Sequence, residues 1–173
     1  QRGIFLTQQT NNSKIMANVV TNEFVEKCNN ELKVFNTLSL HEKVSYYLQK
    51  MEFFATYMQE MLQNVDDVML REEDEAMNYF VENFFDEISM LEDNDLPSVS
   101  PFAISEEELK ENYEVIFDTI REVSRGFRYI LTDMACYWID NPYEPSVMEV
   151  LNQMKDFSIV DKTLILEIDE LED

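Results

Sequence analysis

Glycine is nearly missing from this chain, with two among 173 residues, and proline occurs four times. Turns that need a left-handed backbone or a preset φ are therefore scarce, which argues against a sheet-and-hairpin architecture. The same shortage removes a class of chemistry. A phosphate-cradling loop needs glycines so that successive N–H groups can close on the anion. Gly3 and Gly126 stand alone, and neither lies in a strand-to-helix turn.

Histidine occurs once, as His41, and cysteine twice, as Cys28 and Cys136. Three such groups cannot fill a Cys/His zinc tetrahedron. Both thiols fall on apolar helix stripes and read as free buried cysteines of a reducing compartment rather than a disulfide or a Cys–His nucleophile. His41 sits in the first turn of a predicted helix and reads as a surface or capping residue. No Glu-x-x-His pair is present for a di-iron bundle. Asp93-Asn94-Asp95 opens like a calcium loop, but Pro97 takes the next ligand position and the turn glycine is absent. Thirty-six acids offer no pair that stands out for general acid–base work. These shortages predict a non-enzymatic protein without cofactor or metal.

Long hydrophobic runs are also lacking. No stretch approaches the roughly 18 consecutive apolar residues that span a bilayer. Gly3-Ile4-Phe5-Leu6 is too short for the apolar core of a secretory signal. A cytoplasmic protein is expected, with Met16 as an alternative start to the Gln1 that opens the numbering.

The scarcest property is positive charge. Thirteen Lys/Arg face 36 Asp/Glu, for a net charge of −23. The imbalance is confined to one part of the chain: residues 1–50 hold six bases against four acids, and residues 51–173 hold seven against 32. A field of that sign repels nucleic acid and anionic membrane and attracts basic surfaces.

What the chain has in quantity is apolar periodicity. Hydrophobic residues make up 45%, including 12 Phe, eight Tyr and ten Met, so composition does not predict disorder. Residues 7–14 are polar and amide-rich, and residues 1–20 read as an arm that is flexible or docks on a neighbour; residues 21–173 read as a single acidic helical domain. A first helix is predicted from Glu23 to Phe35. Ser39 and Glu42 then form a capping box. Beyond it Val44, Leu48, Met51, Ala55, Met58, Leu62, Val65 and Met69 alternate spacings of four and three. Tyr47, Phe54, Met61 and Val68 widen that stripe to the face a bundle buries.

Arg71-Glu72-Glu73-Asp74-Glu75 interrupts the pattern, as a turn or a solvated continuation. Met77, Val81, Phe84, Ile88 and Leu91 resume it until Pro97. Ser105 and Glu108 form a second capping box, with Ile104 and Leu109 as a hydrophobic staple. The stripe after it is Leu109, Tyr113, Ile116, Ile120, Val123, Phe127, Ile130, Met134 and Trp138, and Gly126 within it allows a slight bend or a close helix crossing. Ser146 and Glu149 offer a third box and a short helix. Residues 158–169 are either a strand or a last helical turn. The expected fold is all-α: an antiparallel helical bundle with two long helices, about 40–70 and 105–140, plus shorter ones and a C-terminal segment that is either extended or helical.

The sequence supports two functional readings. In the first, carboxylates in rows along helices imitate a phosphate backbone and occupy a basic surface of a nucleic-acid-handling protein, as nucleic-acid-mimic and immunity-type inhibitors do. The predicted contact set is Asp66, Asp67, Glu72, Glu73, Asp74, Glu75, Glu82, Asp86 and Glu87, with Tyr79 beside them. Tyr46, Tyr57, Tyr137 and Tyr143 are further interface tyrosines, since a ring can rest on apolar surface while its hydroxyl stays wet. In the second, the chain is a virion, ring or scaffold subunit that packs its long helices and arm against neighbouring subunits. Neither reading involves direct contact with nucleic acid or membrane. The methionines read as core filler rather than an adaptable groove.

Overall fold

In the structure, a computed structural model, residues 26, 29–63, 71–93, 104–140 and 145–172 are described; for residues 62, 71–76, 92, 93, 134–140 and 145–147 the description is of backbone alone. The chain there is helical. A first helix, α1, is described over residues 29–35. It is followed by α2 (Leu40–Gln63), α3 (Arg71–Asp93), α4 (Glu106–Glu111), α5 (Tyr113–Asp140) and α6 (Pro145–Glu172). An all-α bundle is thus the observed class.

The four long helices close a ring in which α2 packs on α3 and α6, and α5 packs on the same two. Neighbours run antiparallel, as their side-chain pairs show. Between α2 and α6, Lys43 meets Glu167 while Tyr47 meets Asp161. Between α3 and α5, Tyr79 meets Tyr129 while Asn83 reaches Glu122.

The apolar stripes account for this packing. Val44, Leu48, Met51, Ala55 and Met58 are all buried, as are Tyr47 and Phe54 beside them. So are Met77, Val81, Phe84, Ile88 and Leu91 of α3. The centre is aromatic: Phe54, Phe127 and Phe157 pack mutually with ring centroids 5.9 to 6.1 Å apart. Phe80 joins Phe127 at 6.2 Å, so each long helix contributes a ring. Fully burying one such side chain is worth about 1.5–3 kcal/mol.

Gly126 marks the tightest approach. A Cβ there would lie 2.9 Å from the Asn83 side-chain nitrogen, and that nitrogen donates to the Glu122 carbonyl at 2.7 Å. Of the two outcomes the sequence allows, the close crossing is the one observed: α3 rests an amide on the α5 backbone.

Four expectations need correction. Residues 158–169 are neither a strand nor a single turn but part of the 28-residue α6. Val160, Leu164 and Ile168 face the core at spacings of four, so burial decides against the local β-branching. That helix starts at Pro145, inside the position expected for a Ser146 cap; proline suits a first turn, whose N–H groups have no helical partner.

The helix expected over 105–140 is broken at Asn112. Its backbone N–H and its side-chain amide both donate to the Glu108 carbonyl, at 3.0 and 3.2 Å, ending α4. The stripe keeps its spacing across the break, with Leu109, Ile116, Ile120 and Val123 all buried, but Tyr113 is 46% exposed and Phe117 is buried. Finally, the Ser39 box is half formed. The Ser39 N–H donates to Glu42 as expected, but its hydroxyl also donates to Glu42 instead of accepting from the backbone. Both bonds hold the Glu42 carboxyl below its ordinary value.

The Ser105–Glu108 box is complete, and Ile104 and Leu109 are buried beside it. Ser45 of α2 ties this corner down, accepting from the Ile104 N–H at 2.8 Å and donating to its carbonyl at 3.1 Å. Cys28 lies outside the described residues, and of Cys136 only the backbone is described.

Candidate acidic interface on α3 and α5

The outer face of α3 presents Tyr79, Glu82 and Asp86, all exposed, with Glu87 half-buried at its edge. They share a face because spacings of three and four return to the same side of a helix. No ion pair among the described residues engages Glu82, Asp86 or Glu87. Burial pushes the Glu87 carboxyl up, and the charges of Glu122, Asp86 and Asp118 push it further, with Arg125 opposing. The carboxylates of two helices therefore converge at one seam.

Asp118 and Glu122 were not among the residues expected from sequence. They lie one turn apart on the polar side of α5, and the antiparallel crossing at Gly126 carries them to Glu87. Each has one cation: Arg121 donates to Asp118 at 3.1 Å, and Arg125 to Glu122 at 2.9 Å. Tyr129 was missed as well. Its ring lies 4.5 Å from that of Tyr79, centroid to centroid, and the two are 49% and 42% exposed.

Of the other expected contacts, Asp66 and Asp67 lie outside the described residues. Glu72, Glu73, Asp74 and Glu75 fall within α3, so the acidic run continues a helix from Arg71 onward and is no turn; their side chains are not described. Among the interface tyrosines, Tyr46 is half-buried and donates to Glu31 at 2.6 Å, and Tyr57 is partly buried against the core. Tyr143 lies outside the described residues, and Tyr137 is described in backbone only. Met51, Met58 and Met77 are core, whereas Met90 is 53% exposed.

Two further features lie away from this seam. A groove of about 450 Å³ at one end of the bundle has Leu40, Leu109, Tyr113, Phe117 and Leu171 for walls and His41 at its rim. Inside the bundle, Asp161 is fully buried and accepts from Tyr47 at 2.7 Å, Ser124 at 3.0 Å and Arg128 at 3.1 Å. Every partner of that carboxylate is a donor already engaged, so it reads as a structural pin joining α2, α5 and α6. Among the described residues no group of three or more His, Cys, Asp or Glu is placed to hold a metal ion, and no helix is long and apolar enough to cross a membrane.

Comparison with family models, with curated proteins and with solved structures finds no match.

Proposed function

We propose that this is a non-enzymatic acidic helical binding protein that occupies a basic surface of a nucleic-acid-handling protein, after the manner of a nucleic-acid-mimic or immunity-type inhibitor. One observation carries the reading: Glu82, Asp86 and Glu87 stand in a row on α3 without an ion pair among the described residues, and Asp118 and Glu122 of α5 crowd toward Glu87. A protein with a net charge of −23 gains nothing in stability from that crowding. A basic partner would relieve it.

The test is capture of partners from the native host lysate at low and high salt, with competition by duplex DNA as the second step. A basic nucleic-acid-binding protein that is retained at low salt, released at high salt and displaced by DNA supports the reading. Glu82→Lys with Asp86→Lys should then slow association about tenfold or more, since rim charges act mainly on the on-rate. Association unchanged by that reversal removes the α3 row from the interface.

The apolar groove at the end of the bundle favours the second reading, an assembly subunit whose neighbour fills it. Recovery of only the chain itself, or of subunits that survive the salt wash, selects that reading.

A further inference from the structure

We propose that the Tyr79–Tyr129 pair is the docking point for an arginine side chain of the basic partner, an assignment that rests on the proposed acidic-surface function. The two rings come from different helices and meet outside the core. The core has its own aromatic cluster around Phe54, Phe127 and Phe157 and does not require them. The two residues are 42% and 49% exposed, so aromatic surface is open to whatever settles on the α3–α5 seam.

Charge decides what settles there. Glu82 and Asp86 come one and two turns after Tyr79 on the same exposed face. A cation over the rings is thus attracted twice, by the ring quadrupole and by adjacent carboxylates. Arginine meets both demands better than lysine. Its guanidinium is planar, stacks on an aromatic face, is weakly hydrated, and still offers an edge of N–H donors to a carboxylate. The seam already pairs one guanidinium with a carboxylate: Arg125 sits 2.9 Å from Glu122 on the same helix as Tyr129. An ammonium is compact and strongly hydrated, and gains little from a ring it cannot lie against.

The experiment titrates the whole chain with an oligo-arginine and an oligo-lysine peptide of equal length at one ionic strength. The arginine peptide is expected to bind about five- to tenfold more tightly, the size of one partly desolvated cation–π contact. Tyr79→Ala with Tyr129→Ala should reduce it to the lysine level. Tyr79→Phe with Tyr129→Phe should keep the preference, because the ring faces remain; this pair also separates loss of stacking from any disturbance of the fold. Glu82→Gln with Asp86→Gln should weaken both peptides together. Equal binding of the two peptides by the unaltered protein, or a preference that survives the alanine pair, overturns the docking point and leaves the acidic-surface reading intact. Failure of both peptides to bind at low salt overturns that reading itself.

Discussion

Truncating Asp161 tests how this bundle tolerates a charge in its interior. The residue is fully buried, and Tyr47, Ser124 and Arg128 all donate to it. Asp161→Ala strands those donors unequally. The Tyr47 hydroxyl is completely enclosed and keeps only the Ser124 hydroxyl within reach, a poorer acceptor than a carboxylate, at a cost of about 1–3 kcal/mol. The Ser124 hydroxyl is also buried but can turn back to its own helix, as serines in helices do, so its loss lies nearer the low end of that range. Arg128, with 45% of its side chain exposed, returns to water at little cost. With the small void added, the sum is about 3–5 kcal/mol, which matches what breaking a buried ion pair usually costs.

The sharper arm of the test removes both sides of the network. With Tyr47→Phe, Ser124→Ala and Asp161→Leu together, no polar atom is left to strand, and apolar replacements of buried ion pairs are commonly neutral or stabilising. The triple variant should therefore return to within about 2 kcal/mol of the original despite carrying three core changes. Urea unfolding monitored by helical circular dichroism measures both. A single variant within about 1 kcal/mol of the parent, or a triple variant no better than the single, would mean that the network does not bear on stability in the way its geometry implies.

Two other predictions concern the same core. Burial holds the Asp161 carboxyl above its ordinary value of 3.8, outweighing the three donors that pull the other way. A raised pKa in the folded state means a contribution that is complete below the ordinary value and lost as pH rises through the raised one. Asp161→Asn, which does not ionise, should accordingly gain stability relative to the parent between acid and neutral pH, and a difference that moves the other way refutes the assignment. At the α3–α5 crossing, Gly126→Ala gains about 1 kcal/mol of helix propensity but displaces the Asn83 amide, whose bond to Glu122 is worth about the same. The variant should sit within about 1 kcal/mol of the parent, and in an Asn83→Ala background the same change should stabilise; a thermal-melt double-mutant cycle without that coupling excludes the contact.

How much of the fold and the site was legible in the sequence depends on what each feature needs. The stripe of α2 from Val44 to Met58 and that of α3 were legible residue by residue, because helical period and burial are both local consequences of one face turned inward; the Leu62 side chain, Val65, Val68 and Met69 lie outside the described residues. Tyr113 was not legible, because Asn112 looks like any polar residue until its side-chain amide joins its backbone N–H on the Glu108 carbonyl and ends α4 just before Tyr113. The end of α6 was not legible either: Thr163-Leu164-Ile165-Leu166 suits a strand by composition, and only the neighbouring helices supply the surface that makes it helical. The acidic site divides along the same line. Tyr79, Glu82, Asp86 and Glu87 share one helix, so spacing alone places them together. Asp118, Glu122 and Tyr129 join them across a crossing whose register depends on Gly126, and a periodicity along one helix carries no information about that register. The signal was present, in a glycine within a strong stripe, but it says only that a helix comes close and not which one. What the crossing adds changes the character of the site: acids alone make a diffuse field, whereas acids gathered at a seam with two exposed rings make a surface able to discriminate among cations.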